Sequence, residues 1–125
     1  MKAETFGSCL KSLRLGRNLG LREFARLVGM DVGNLSRIER SIAPPPRSLD
    51  QLRRIAEALG ALEGSEQWSR LLDLSREDQP DRLAPDVAEY AAKHRLVPLL
   101  MRTVANKKLD DKDLLELARK IEENY

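Results

Sequence analysis

The sequence has few of the residues that form disulfides, metal sites and aromatic cores. Its 125 residues include one cysteine, Cys9, one histidine, His94, and only 4% aromatic residues. A single cysteine excludes an internal disulfide and is typical of a reducing compartment. The chain also has no Cys/His cluster, phosphate-binding glycine loop or serine-nucleophile motif. We therefore expect no enzymatic activity, no catalytic residue, no metal ion and no cofactor.

Long hydrophobic runs are absent as well. No stretch approaches the length of a membrane span and no signal-peptide pattern opens the sequence, so we expect a cytoplasmic protein without a membrane partner. The β-branched residues never form the alternating run that is typical of a strand. Since the apolar residues are rich in leucine and alanine, the sequence predicts an all-α fold.

The two halves of the chain carry opposite charge. Residues 1–60 contain 11 Lys and Arg against 6 Asp and Glu, a net charge of +5. Residues 61–125 contain 11 against 14, a net charge of −3. This asymmetry favours a DNA-binding module followed by a part that does not touch DNA, although scattered surface charge would give the same counts.

Residues 21–40 predict two short helices joined by a tight turn. In the first, Leu21, Phe24, Ala25 and Val28 form one apolar stripe, and Gly29 can end the helix in the left-handed conformation.

The second helix of this pair is placed to meet DNA. Asp31 can cap its first turn, and Leu35 and Ile38 form its inward side. The outer side near its start is small, polar and basic, which suits a DNA major groove, and it comprises Val32, Gly33, Asn34, Ser36 and Arg37.

Three segments, GLREFARLVGM, DVGNLSRIER and SLDQLRRIAEALG, together resemble the lambda-repressor-like (Cro/C1, or XRE) helix-turn-helix family over about residues 6–60. The resemblance implies a five-helix DNA-binding domain over residues 1–75 that binds double-stranded DNA. An ordinary helical hairpin with a glycine cap is the alternative. Gly20 stands at an N-cap where this family usually has Ser or Thr, so a hydroxyl that could meet a phosphate is missing.

The side chains of the second helix suit particular bases. Arg37 can reach a guanine edge with two hydrogen bonds, and Asn34 suits an adenine. Val32 can contact a thymine methyl group, and Gly33 allows the helix backbone to approach the DNA closely. We predict these four residues as the base-reading set.

Other residues are expected to hold the DNA backbone. Three consecutive prolines make residues 41–46 a rigid surface loop, and Arg40 and Arg47 flank it. That both arginines are simply solvated, without contacting DNA, is an equal alternative. The full predicted set comprises the start of the first helix of the pair, at Leu21 and Arg22, together with Ser36, Arg40, Arg47 and Arg14.

The resemblance also implies a structural ion pair between Arg14 and Glu39. In the family, an Arg on the first helix commonly pairs with a Glu that ends the recognition helix. Two independent surface charges are the alternative.

The rest of the chain predicts a linker and a small helical unit. Residues 76–84, REDQPDRLA, are charged and aperiodic, and residues 85–125 predict three short helices. So small a unit cannot bury its leucines alone, which favours a homodimer. The residues that we expect in the dimer contact are Leu99, Leu100, Leu114, Leu117 and Ile121.

The segment VPLLMRTVANKKLDDKDLLELARKI is similar to the tail of XRE-type repressors encoded beside ImmA/IrrE-type metallopeptidases. This looser resemblance implies that a partner metallopeptidase cuts the chain and destroys the dimer. The candidate cleavage loop comprises Ala105, Asn106, Lys107, Lys108 and Leu109.

The predicted function is a homodimeric, sequence-specific repressor on a palindromic operator, which regulates its own operon. An activator would carry the same residues. The alternative from another class is an antitoxin-like or adaptor protein whose main role is to hold a protein partner.

Overall fold

The computed structural model describes residues 4–125, which form eight α-helices and no strand. The all-α expectation is therefore confirmed for this part of the chain. The helices are α1 (Phe6–Gly16), α2 (Leu21–Val28), α3 (Val32–Glu39), α4 (Leu49–Leu59), α5 (Glu66–Leu74), α6 (Pro85–Lys93), α7 (Val97–Asn106) and α8 (Asp111–Asn124).

The helix ends follow from local chemistry. Thr5 caps α1, since its hydroxyl accepts a hydrogen bond from the Ser8 amide at 3.0 Å. Asn18, just after α1, has a positive φ of 56°, a conformation that Asn tolerates better than most residues. Gly29 and Gly60 end α2 and α4 in the left-handed conformation, where a side chain would be strained.

The chain divides into two compact units, Met1–Ala88 and Glu89–Tyr125. In the first unit, α1 packs against α3 and α5, and α2 packs against α3 and α4, which also contacts α5. One apolar cluster fills the space between them, and its fully buried large side chains are Phe6, Leu10, Phe24, Val28, Leu35, Leu52, Ile55, Leu71 and Leu72.

Residues 76–84, predicted as a linker, belong to the first unit and are attached to it at Glu77, Asp78 and Ala84. The Phe6 amide donates to Glu77 Oε2 at 3.0 Å, and Ala84 is buried in the core. Arg76 Nη1 donates to the carbonyls of Pro80 and Arg82, which closes the segment on itself. The division between the units falls inside α6, after Ala88.

The proline segment also differs from the expected surface loop. Pro45 and Pro46 are buried, whereas Ile42 is exposed. Proline lacks a backbone donor, so its ring can be buried without leaving an N–H unsatisfied.

The second unit has no buried residue anywhere in Glu89–Tyr125. Four of the leucines and isoleucines expected in a dimer contact are exposed and Leu117 is half-buried. Ala105 and Asn106 belong to α7, so the predicted cleavage loop is shorter than expected and spans residues 107–110. Over residues 4–125, none of the helices is both long enough and apolar enough to cross a membrane.

Candidate nucleic-acid interface

Helix α3 presents its N-terminal turn to solvent. Asp31 caps it, because Oδ2 accepts a hydrogen bond from the Asn34 amide at 2.9 Å. Leu35 and Ile38 are buried against the core, which directs Asn34 and Arg37 outward, where both are exposed. A capped helix with polar side chains on its free side can enter a groove with its N-terminus leading.

Arg37 lies back along α3, over Gly33. A Cβ on Gly33 would lie 3.6 Å from Arg37 Nη1 and 3.1 Å from Asp31 Oδ2. A long helical side chain points toward the N-terminal turn of its own helix, so the absence of a side chain at Gly33 leaves room for this guanidinium. The structure thus brings Gly33, Asn34 and Arg37 together on one surface.

An open groove of about 490 Å³ separates the start of α2 from the start of α3, and its lining includes Val32 and Ser36, both half-buried. No side chain caps α2, whose N-cap is Gly20, so the first amides of α2 have no side-chain acceptor. The predicted phosphate contacts Leu21 and Arg22 line it, and so does the acidic Glu23.

Arg14 and Glu39 form the ion pair that the resemblance implies. Arg14 Nε lies 2.7 Å from Glu39 Oε2 and Nη2 lies 2.9 Å from Oε1, while Nη1 donates to the Leu19 carbonyl at 2.8 Å. Both side chains are buried. The hydrogen bonds to Glu39 raise the pKa of the Arg14 guanidinium.

The second role predicted for Arg14, a contact to the DNA backbone, stays a prediction. Its side chain is only 8% exposed, and each of its three nitrogens already donates to Glu39 or Leu19. The observed role of Arg14 is to tie α1 to α3.

Gly7 provides a second contact between α1 and α3. A Cβ at this position would lie 2.2 Å from the Ile38 carbonyl oxygen and 2.6 Å from that of Glu39. Both are backbone atoms, so only glycine allows this approach of the helices. This contact was not predicted, and the only sequence signal for it is an isolated glycine in a helical pattern.

The two arginines predicted to hold phosphates differ in their surroundings. Arg40 is exposed, and its Nε donates weakly to the Ser36 carbonyl at 3.3 Å. Arg47 Nη2 lies 2.7 Å from Asp78 Oδ2, with about half of the Arg47 side chain exposed. If Arg47 binds a phosphate, the phosphate must therefore replace the Asp78 carboxylate.

The other reactive side chains do not form a site. Burial raises the pKa of the Cys9 thiol to about 11, and the hydrogen bond from Arg70 lowers the pKa of the nearby Glu4 carboxyl. His94 packs against Tyr90, with ring centroids 4.3 Å apart. Between residues 4 and 125, no group of three or more His, Cys, Asp and Glu side chains could hold a metal ion.

Comparison with known proteins agrees with this geometry. A family model described as a helix-turn-helix domain matches residues 5–68. No curated protein and no solved structure matches the chain. The matched segment covers α1 to α4 and reaches into the start of α5, which is just over half of the sequence. The protein therefore belongs to the helix-turn-helix family of DNA-binding domains.

Proposed function

We propose that the protein is a homodimeric, sequence-specific transcriptional repressor of the XRE subtype, which binds a palindromic operator in its own promoter. The observation that carries this proposal is the exposed N-terminal turn of α3, with Asn34 and Arg37 directed outward. Arg37 recognises a guanine, Asn34 an adenine and Val32 a thymine methyl group. The protein works in the cytoplasm, without a cofactor and without catalysis.

Dimerisation is the second part of the proposal. A single short helix in one groove gives modest affinity, whereas two symmetric half-sites about 34 Å apart multiply both affinity and selectivity. The second unit has the surface for this, because most of its leucines are exposed within one chain. Leu99, Leu100, Leu114, Leu117 and Ile121 form the centre of the proposed contact.

Footprinting of the full-length chain on the DNA upstream of its own gene tests both parts together. The proposal predicts two protected half-sites on one side of the duplex, one helical turn apart. Protection should persist in excess random DNA at a stated salt concentration, because phosphate contacts alone are not selective. Protection of a single half-site would contradict the dimer, and uniform protection would contradict base reading.

We also propose that a metallopeptidase partner inactivates the repressor by cutting near residues 107–110. This turn contains two exposed lysines, and Lys108 has a positive φ of 55°. Cleavage here would detach α8 from the rest of the second unit. Mass spectrometry after incubation with the candidate peptidase tests this: an intact chain, or a cut within residues 76–84, would contradict it.

The exposed apolar surface of the second unit also fits another class of function. In an antitoxin-like or adaptor protein, this surface would hold a different protein, and DNA binding would be secondary. The gene next to this one distinguishes the two, since a metallopeptidase gene favours the cleavable repressor and a toxin gene favours the antitoxin. Failure of the footprint together with tight binding to the neighbouring gene's product would favour the adaptor.

A further inference from the structure

Helices α7 and α8 make little contact with each other within one chain, although only a four-residue turn joins them. Each helix leaves several large apolar side chains exposed. These exposed side chains are the surface that a second copy of the chain could cover.

On α8, the apolar residues recur at helical spacing and form one stripe. Leu114 is 39% exposed and Ile121 is 47% exposed, with Leu117 and Ala118 between them. Asp111 and Glu122 lie on the same side of α8, along one edge of this stripe.

On α7, Leu99 and Leu100 are 60% and 54% exposed, and Leu96, just before the helix, is 64% exposed. Thr103 continues this stripe one turn further along. Arg102 borders it at the edge next to Leu99. The two stripes are thus similar in length and opposite in the charge of their borders.

The segments that contain these stripes are electrically complementary. Residues 94–109, from the end of α6 to the start of α8, contain four Lys and Arg and no Asp or Glu, a net charge of +4. Residues 110–125 contain three Lys and Arg against six Asp and Glu, a net charge of −3. Pairing two basic segments, or two acidic segments, would bring like charges together and is disfavoured at an interface.

We propose that α8 of one copy packs on α7 of a second copy, and that the two-fold axis of the dimer repeats this contact. The inference rests on the proposed homodimer and specifies its geometry. A two-fold interface makes every unlike contact twice, so both leucine stripes of both copies are covered and opposite charges border each seam.

Crosslinking between single cysteines tests this geometry on the full-length chain. Thr103→Cys and Ala118→Cys place one exposed thiol on α7 and on α8, and a short bismaleimide joins thiols across the seam. Wild type is the control, since its Cys9 is buried. We expect a covalent dimer when the two variants are mixed, and little from either variant alone.

Other outcomes overturn the inference in distinguishable ways. A covalent dimer from Thr103→Cys alone or Ala118→Cys alone would show like-with-like pairing. Sedimentation as a dimer without any crosslink in the mixture would place the contact elsewhere and leave the proposed homodimer intact. Sedimentation of the wild type as a monomer would contradict both.

Charge reversal provides a second measurement. Arg102→Glu should weaken dimerisation about tenfold, and so should Asp111→Lys with Glu122→Lys, because each puts like charges along the seam. A mixture of these two variants should form a heterodimer near wild-type strength. If the mixture dimerised no more tightly than either variant alone, the packing of α8 on α7 of a second copy would be contradicted. Circular dichroism of each variant verifies that its helices are formed.

Discussion

Arg14 and Glu39, 25 residues apart in sequence, form a buried pair of parallel hydrogen bonds that ties α1 to the end of α3. Two bonds in a fixed plane restrict rotation as well as distance. Gly7 of α1 approaches the backbone at the same end of α3. Together, the two contacts fix the orientation of α3 relative to α1. The exposed side chains of α3 depend on this support for their position.

Loss of one member of this pair should therefore cost much more than loss of a surface pair. Glu39→Ala leaves a buried guanidinium without its carboxylate, and we expect the free energy of unfolding to fall by about 3–5 kcal/mol. Asp78→Ala, which breaks the exposed Arg47 pair, is the matched control and should cost less than about 1 kcal/mol. Urea denaturation measures both, and equal costs would contradict the structural role.

Two glycines of α1 should respond to alanine in opposite ways. Gly7→Ala forces a methyl group against two backbone carbonyls of α3, so we expect a lower melting temperature and weaker DNA binding, despite the better helix propensity of alanine. Gly16 has open space around it, and Gly16→Ala should be neutral or stabilising by up to about 1 kcal/mol. Thermal unfolding measures both variants. Equal melting temperatures for Gly7→Ala and Gly16→Ala would contradict the close approach of α1 to α3 at Gly7.

Local features of the structure were predictable from sequence, whereas long-range ones were not. The residues that end α1, α2 and α4 are identifiable because Asn and Gly tolerate the left-handed conformation. The burial of Pro45 and Pro46, and the attachment of residues 76–84, depend on contacts with distant parts of the chain that no local pattern records. The approach of Gly7 to α3 is of the same kind.

The second unit shows the same limit in another form. Three short helices were predicted for residues 85–125, and α6, α7 and α8 lie there. Which helix covers which apolar stripe was not predictable, because periodicity identifies an apolar stripe without naming what covers it.

Backbone contacts should be visible in the salt dependence of DNA binding. Arg40→Ala and Arg47→Ala should each reduce the slope of log K against log salt by about 1, because one released counterion is lost per phosphate contact. Asp78→Asn removes the competing carboxylate from Arg47 and should strengthen binding to random DNA. Unchanged slopes in both arginine variants would place these side chains in solvent.

The Cys9 thiol should be inert in the folded protein. Only the thiolate reacts, and a pKa of about 11 leaves little thiolate at neutral pH. Because the folded pKa lies above the ordinary value of 9.0, the unfolded chain loses this proton first, and stability should fall as pH rises from about 9 to 11. A thiol reagent that labels native protein as fast as urea-unfolded protein would contradict this burial.

Base-by-base binding profiles of wild type and Arg37→Ala test the central claim, that α3 recognises sequence. We expect Arg37→Ala to cost about 1–3 kcal/mol on the preferred operator and to lose preference at one base position in each half-site. The control is Arg54→Ala, which removes an exposed arginine of α4 and should leave the profile unchanged. If Arg37→Ala instead weakened binding to preferred and random DNA equally, Arg37 would be a phosphate contact, and the assignment of base recognition to this surface would be wrong.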